Sequence, residues 1–130
     1  EKSGDAIGLA LKEFPEPEKT KRGMILAMAN KMPNAAILEA WEMLSTTAST
    51  QITQRDPNID LTGDTPYKNM EEFFREKKLL ETKKIKVFRE LRQLRNKVAH
   101  AKGYEVSPEE SNQYIHLCFM MADHLEKLRP

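Results

Sequence analysis

Arg92, Asn96 and His100 recur at intervals of four, which stacks their side chains along one stripe of an α-helix. A guanidinium, an amide and an imidazole near one helix end can hold a phosphate and move a proton near neutral pH. Those are the requirements of RNA cleavage. A helix C-terminus favours the protonated imidazole, so His100 suits a general acid or a phosphate ligand better than a resting base. The same residues also admit a structural explanation, with Arg95 solvated or salt-bridged, Asn96 incidental, and His100 turned onto the last carbonyls of its helix. Spacing alone does not choose between the two.

The helix that carries these residues is marked by Ile85, Phe88, Leu91, Leu94 and Val98, starting from about Glu81. On a wheel of about 100° per residue, Val87, Phe88, Leu91, Leu94 and Val98 fall within an arc of roughly 120°, which is a core face. The polar stripe flanks that face, and Arg95 sits at its edge. Gly103, just beyond His100, supplies a stop.

Other helices are expected around it, near residues 34–53, 66–79 and 108–128. Ile37, Trp41, Leu44, Ala48 and Ile52 follow the three-and-four spacing of an amphipathic helix after Pro33, and Trp41 in that stripe reads as core rather than as a base-stacking surface. Pro66 fits the first position of a short helix with Thr65 as its cap and Met70, Phe73 and Phe74 buried. Ser107-Pro108-Glu109-Glu110 combines a cap, a first-turn proline and a capping-box glutamate, opening a helix through Tyr114, Ile115, Cys118, Phe119, Ala122 and Leu125. Between these, Arg55 to Thr65 is dense in turn formers and reads as a loop. Residues 1–32 read as an N-terminal arm or linker, extended over 1–17, with a short helix between Glu18 and Lys31. Residues 33–130 form the helical domain. The fold class is all-α, an up-and-down bundle of four to five helices.

Composition bounds the partners. With 21 basic against 20 acidic residues the net charge is +1, so any RNA site must be local rather than a product of overall charge. The basic run Lys77-Lys78, Lys83-Lys84, Lys86, Arg89 and Arg92 is interleaved with Glu71, Glu72, Glu76, Glu81 and Glu90. That mixture favours a solvated face with intrahelical ion pairs over a basic groove. The single cysteine, Cys118, lies between Leu117 and Phe119 and reads as core packing in a reducing compartment, with cytoplasmic location as the default. A start at Glu1 rather than methionine fits a segment of a longer protein. His116 and His124 share a face without a third ligand at metal-binding spacing, and no nucleotide loop or cofactor motif is present, so no metal or cofactor is expected. Met120 and Met121, next to Phe119, cannot share one face, so at least one of these three must meet another helix or subunit.

The stretch Phe88-Arg89-Glu90-Leu91-Arg92-Gln93-Leu94-Arg95-Asn96-Lys97-Val98-Ala99-His100 resembles the signature helix of HEPN domains, particularly bacterial members of the DUF4145 group. The family pattern is an Arg followed by a polar residue and then a His four to six places after the Arg. Arg95, Asn96 and His100 meet it as Arg-x4-His. Ala36-Ile37-Leu38-Glu39-Ala40-Trp41 and the Ser-Pro-Glu-Glu helix start extend the likeness to roughly residues 33–128. The resemblance implies a homodimer in which two copies of this segment face one another across a cleft. In catalytic relatives such a cleft cleaves RNA without metal, by attack of the 2′-hydroxyl on the adjacent phosphate. It implies catalytic roles for Arg95 and His100, with Asn96 orienting them, giving a toxin-like ribonuclease; the basic side chains Arg89, Arg92 and Lys97 beside them are the expected RNA contacts, guiding the backbone toward His100. Other relatives are noncatalytic dimerisation or partner-binding modules, some joined to membrane-anchored regions, and that alternative stays open. No DNA-specific signal is present.

Overall fold

The computed structural model of the chain describes residues 20–63 and 65–128. They form five helices: α1 (Lys21–Lys31), α2 (Pro33–Arg55), α3 (Pro66–Glu76), α4 (Thr82–His100) and α5 (Pro108–Glu126). The described residues contain no strand, and the fold is an all-α helical bundle. The arm expected over residues 1–17 lies outside the described residues.

The 23 residues of α2 make the central post of the bundle, roughly 34 Å long at 1.5 Å per residue. Its periodic residues Ile37, Trp41, Leu44, Ala48 and Ile52 are all buried, as their spacing requires. The most extensive packing in the bundle joins α2 to α5, and α1 lies against both. Ala29, Ala36 and Ala40 are buried as well, and such small side chains let helices approach closely. Thr20 caps α1 by accepting a hydrogen bond on its Oγ1 from the Gly23 N–H at 2.9 Å. With Ile25 and Ala29 in the shared core, α1 is an integral part of the bundle, and the packed unit reaches back before residue 33.

Trp41, Phe74 and Phe88 join α2, α3 and α4 at the centre. Ring centroids lie 5.1 Å apart for Trp41–Phe88 and 5.7 Å for Phe74–Phe88, both within the range in which aromatic pairs attract. This cluster sets how α3 and α4 sit beside each other, and hence the shape of the space between their polar faces.

The helix ends follow local rules with two departures. Ser107 and Glu110 form the reciprocal capping box at the start of α5. Thr65 sits at the cap position of α3, but its side chain makes no capping hydrogen bond. That helix stops at Glu76 rather than near residue 79, because Lys78 turns into the left-handed region at φ 55° and Leu79 N–H bonds back to the Phe74 carbonyl at 2.9 Å. Gly103, at φ 74°, marks the turn after α4. The α4–α5 connection is clamped by Asn34, which donates to the Tyr104 carbonyl at 2.8 Å and accepts from the Val106 N–H at 3.0 Å. Buried Ser111 donates to the Pro33 carbonyl at 2.8 Å and ties the start of α5 to the start of α2. No helix among the described residues is long and apolar enough to cross a membrane.

Candidate functional site

Burial of Phe88 and Leu91 in the core turns Arg89, Arg92 and Asn96 of α4 toward the polar side of α3. Between the two helices lies a cleft of about 520 Å³. From α4 it takes Arg89, Arg92, Arg95 and Asn96. From α3 and the residue before it come Thr65, Pro66, Tyr67, Lys68 and Arg75, together with the carboxylates Glu71 and Glu72. Five cations against two carboxylates leave the cleft positive although the chain is nearly neutral. The first turn of α3 also opens on it, with no acidic side chain to neutralise the helix dipole.

Glu71 organises this charge. Its side chain is 5% exposed, and its two oxygens accept from different arginines: Oε1 from Arg89 Nε at 2.9 Å and Oε2 from Arg92 Nε at 3.1 Å. A carboxylate in this position takes only one N–H from each guanidinium. The terminal nitrogens of both have no other partner among the described residues, so they remain donors for an anion in the cleft. Beside them Arg95 Nη1 donates to Asn96 Oδ1 at 3.2 Å, coupling the first two residues of the expected motif.

The turn carrying Arg95 is braced from behind. Tyr114 of α5, 3% exposed, donates its hydroxyl to the Leu91 carbonyl at 2.9 Å. Burial pushes the Tyr114 phenol well above its ordinary range, with a further upward push from the Cys118 thiol and an opposing pull from Arg95. Burial likewise pushes Cys118 up to about 12, with the Tyr114 hydroxyl pulling it partly back. Both groups are neutral structural parts rather than nucleophiles.

Of the residues singled out by sequence, Arg89, Arg92, Arg95 and Asn96 share the cleft, whereas Lys97 and His100 are exposed and lie outside its lining. His100 lies five positions after Arg95, which on an α-helix is about 7.5 Å of rise and about 140° of rotation. Within one chain the two side chains therefore point to different sides of α4. The expectation of a solvated basic face is corrected for Arg89 and Arg92, which turn into a cleft. Lys84 pairs at 3.7 Å with Glu81, the residue that precedes α4, and Glu71 pairs across helices rather than within one. Sequence reasoning missed Glu71, Tyr67, Lys68 and Arg75. A signal for Glu71 existed: on the wheel it lies about 60° from Phe74, an acid at the edge of an apolar face.

Elsewhere, Trp41 is core as expected. His116 is half-buried, with its Nδ1 3.2 Å from Arg22 Nη2. Met121 is buried and Phe119 packs under Arg22, while Met120 remains 67% exposed. No group of three or more metal-ligating side chains occurs among the described residues. No protein-family model matches the chain, and neither does any curated protein or solved structure.

Proposed function

We propose that this chain is a HEPN-type RNA-binding protein that cleaves RNA without metal, and that phosphates of the strand enter the cleft between α3 and α4. The observation that carries the reading is the set of arginines from α3 and α4 opening on one cleft, two of them held by a single buried carboxylate. Guanidiniums in fixed orientations match the oxygens of a phosphodiester, and their fixation removes part of the ordering cost of binding. Arg92 and Arg95 hold the scissile phosphate, Asn96 orients Arg95, and His100 supplies the proton transfer. The 2′-hydroxyl loses its proton to solvent as it attacks phosphorus, the bond to the 5′-oxygen breaks, and that oxygen takes up a proton delivered by His100. The products are a 2′,3′-cyclic phosphate and a 5′-hydroxyl. Because His100 lies outside the lining of the cleft that holds Arg92 and Arg95, this reading places His100 of a second copy beside the cleft of the first, hence a homodimer.

A second reading is a noncatalytic module that binds RNA, or a partner's acidic groups, in the same cleft. It is favoured by the exposure of His100 and its place outside the lining. One experiment separates the two. Wild type, Arg95→Ala and His100→Ala are incubated with mixed RNA in chelator, and binding to an uncleavable 2′-O-methyl strand is measured in parallel. The nuclease reading expects His100→Ala to lose roughly 100-fold or more in rate while retaining binding. Binding without cleavage by wild type leaves the module; absence of binding removes the cleft reading altogether.

A further inference from the structure

We propose that Tyr67 is a base-stacking wall of the cleft, so that the ligand is single-stranded RNA with one unpaired base laid on this ring and its flanking phosphates on Arg89 and Arg92. The inference rests on the phosphate-binding reading and adds the strandedness of the ligand and the residue that selects it.

Tyr67 lies in the first turn of α3 and lines the arginine cleft. It also lines a second groove of about 280 Å³, bordered by α2 and the loop before α3, and so forms a partition between the two. A partition has two sides. On the cleft side are the guanidiniums; on the groove side are Thr46, Ser49 and Thr50, whose hydroxyls make no hydrogen bond with described residues. A nucleotide that places its phosphates in the cleft can lay its base against the ring and offer the base edge to these hydroxyls.

Tyr67 packs against the core. Tyr67 meets Trp41 nearly edge-on, with centroids 5.2 Å apart and planes at 77°. Trp41 is itself 2% exposed and tilted onto Phe88, the neighbour of Arg89 in α4. One aromatic chain thus links the proposed stacking surface to the helix that carries the arginines, fixing the spacing of base and phosphate subsites. An aromatic surface beside ordered cations is the combination by which single strands are held with little dependence on sequence. A duplex hides its base faces and cannot use it.

The test measures affinity for four ligands: a short single-stranded 2′-O-methyl RNA carrying one 2-aminopurine, the same strand with that base removed, the corresponding duplex, and inorganic pyrophosphate. The single strand is expected to bind wild type about 5- to 150-fold more tightly than its abasic counterpart, the range of one base–aromatic stack, with quenched 2-aminopurine fluorescence. Tyr67→Leu should abolish that advantage and the quenching while pyrophosphate still binds; Tyr67→Phe should retain both. Pyrophosphate binding in Tyr67→Leu also reports that the cleft is folded. If the base adds no affinity, if the duplex binds as well as the single strand, or if Tyr67→Leu changes nothing, the inference is overturned and the phosphate cleft stands. If wild type binds neither pyrophosphate nor RNA, the cleft reading fails and this one with it.

Discussion

Glu71→Gln replaces the carboxylate that holds two arginines by a group of nearly the same shape without charge. The amide can keep one oxygen as an acceptor for Arg89 or Arg92, but its nitrogen is a donor and meets the other guanidinium donor to donor. Removing one partner of a fully buried ion pair costs roughly 3–5 kcal/mol, whereas exposed pairs contribute about 0.2–1 kcal/mol. Here the carboxylate is 5% exposed while the Arg89 and Arg92 side chains are 40% and 25% exposed, so the guanidiniums can partly recover solvation. Discounting the buried figure accordingly gives roughly 1.5–3 kcal/mol. For a domain of this size that is a fall of about 5–12 °C in Tm, followed by circular dichroism. A second readout separates charge from packing. Phosphate should raise the Tm of the variant more than that of wild type, because two guanidiniums freed of their carboxylate bind the anion more tightly and stabilisation grows with ligand concentration over Kd. A Tm within about 1 °C of wild type, together with equal phosphate responses, would refute the bracing role of Glu71.

Two further outcomes follow from the helix ends and the core. Lys78→Gly should stabilise the protein by about 0.5–1 kcal/mol in urea unfolding, because Lys78 occupies a left-handed conformation after α3 that glycine adopts without penalty; a loss of stability would contradict that account. Stability should also decline in alkali: Cys118 is pushed from 9.0 up to about 12 and Tyr114 is raised above 10.0, so the native state holds protons that the unfolded chain releases. Their contribution is fully present below about pH 9 and, for Cys118, is lost as pH rises through about 12, at up to about 1.4 kcal/mol per pH unit for each group. Urea titrations at intervals across this range should show a flatter profile for Cys118→Ala with Tyr114→Phe; an unchanged slope in that double variant would exclude these two groups as its cause.

The bundle was legible because its signals are local and repeated. Ile37 through Ile52 keep one period over the whole of α2, and Ser107 with Glu110 announces the start of α5 within four residues. The site was only half legible, for a physical reason. Arg92 and Asn96 share a stripe that the periodicity of α4 reveals, but the partner of Arg92 comes from α3, 21 residues away. Charge patterning along the sequence weighs Glu71 against its neighbours in α3, whereas the fold pairs it with the next helix. The integration of α1 was hidden in the same way. Its apolar residues show little one-sidedness, and only contact with α2 and α5 distinguishes Ile25 and Ala29 from exposed Met24.

The arrangement around Glu71 also bears on why a basic cleft can coexist with a stable bundle. Arginines gathered on one wall repel one another, and with no anion bound that repulsion is a standing cost to folding. A buried carboxylate bonded to the Nε of two of them offsets part of it while leaving their terminal N–H groups directed elsewhere. An incoming phosphate therefore adds to a formed network rather than displacing Glu71 from it. The consequence is directional: in wild type the carboxylate limits anion affinity but keeps the donors ordered, and without it affinity rises as order falls. A ligand that needs the guanidiniums at fixed spacing, such as successive groups on a strand beside Tyr67, is served by the first condition, and a free phosphate by the second.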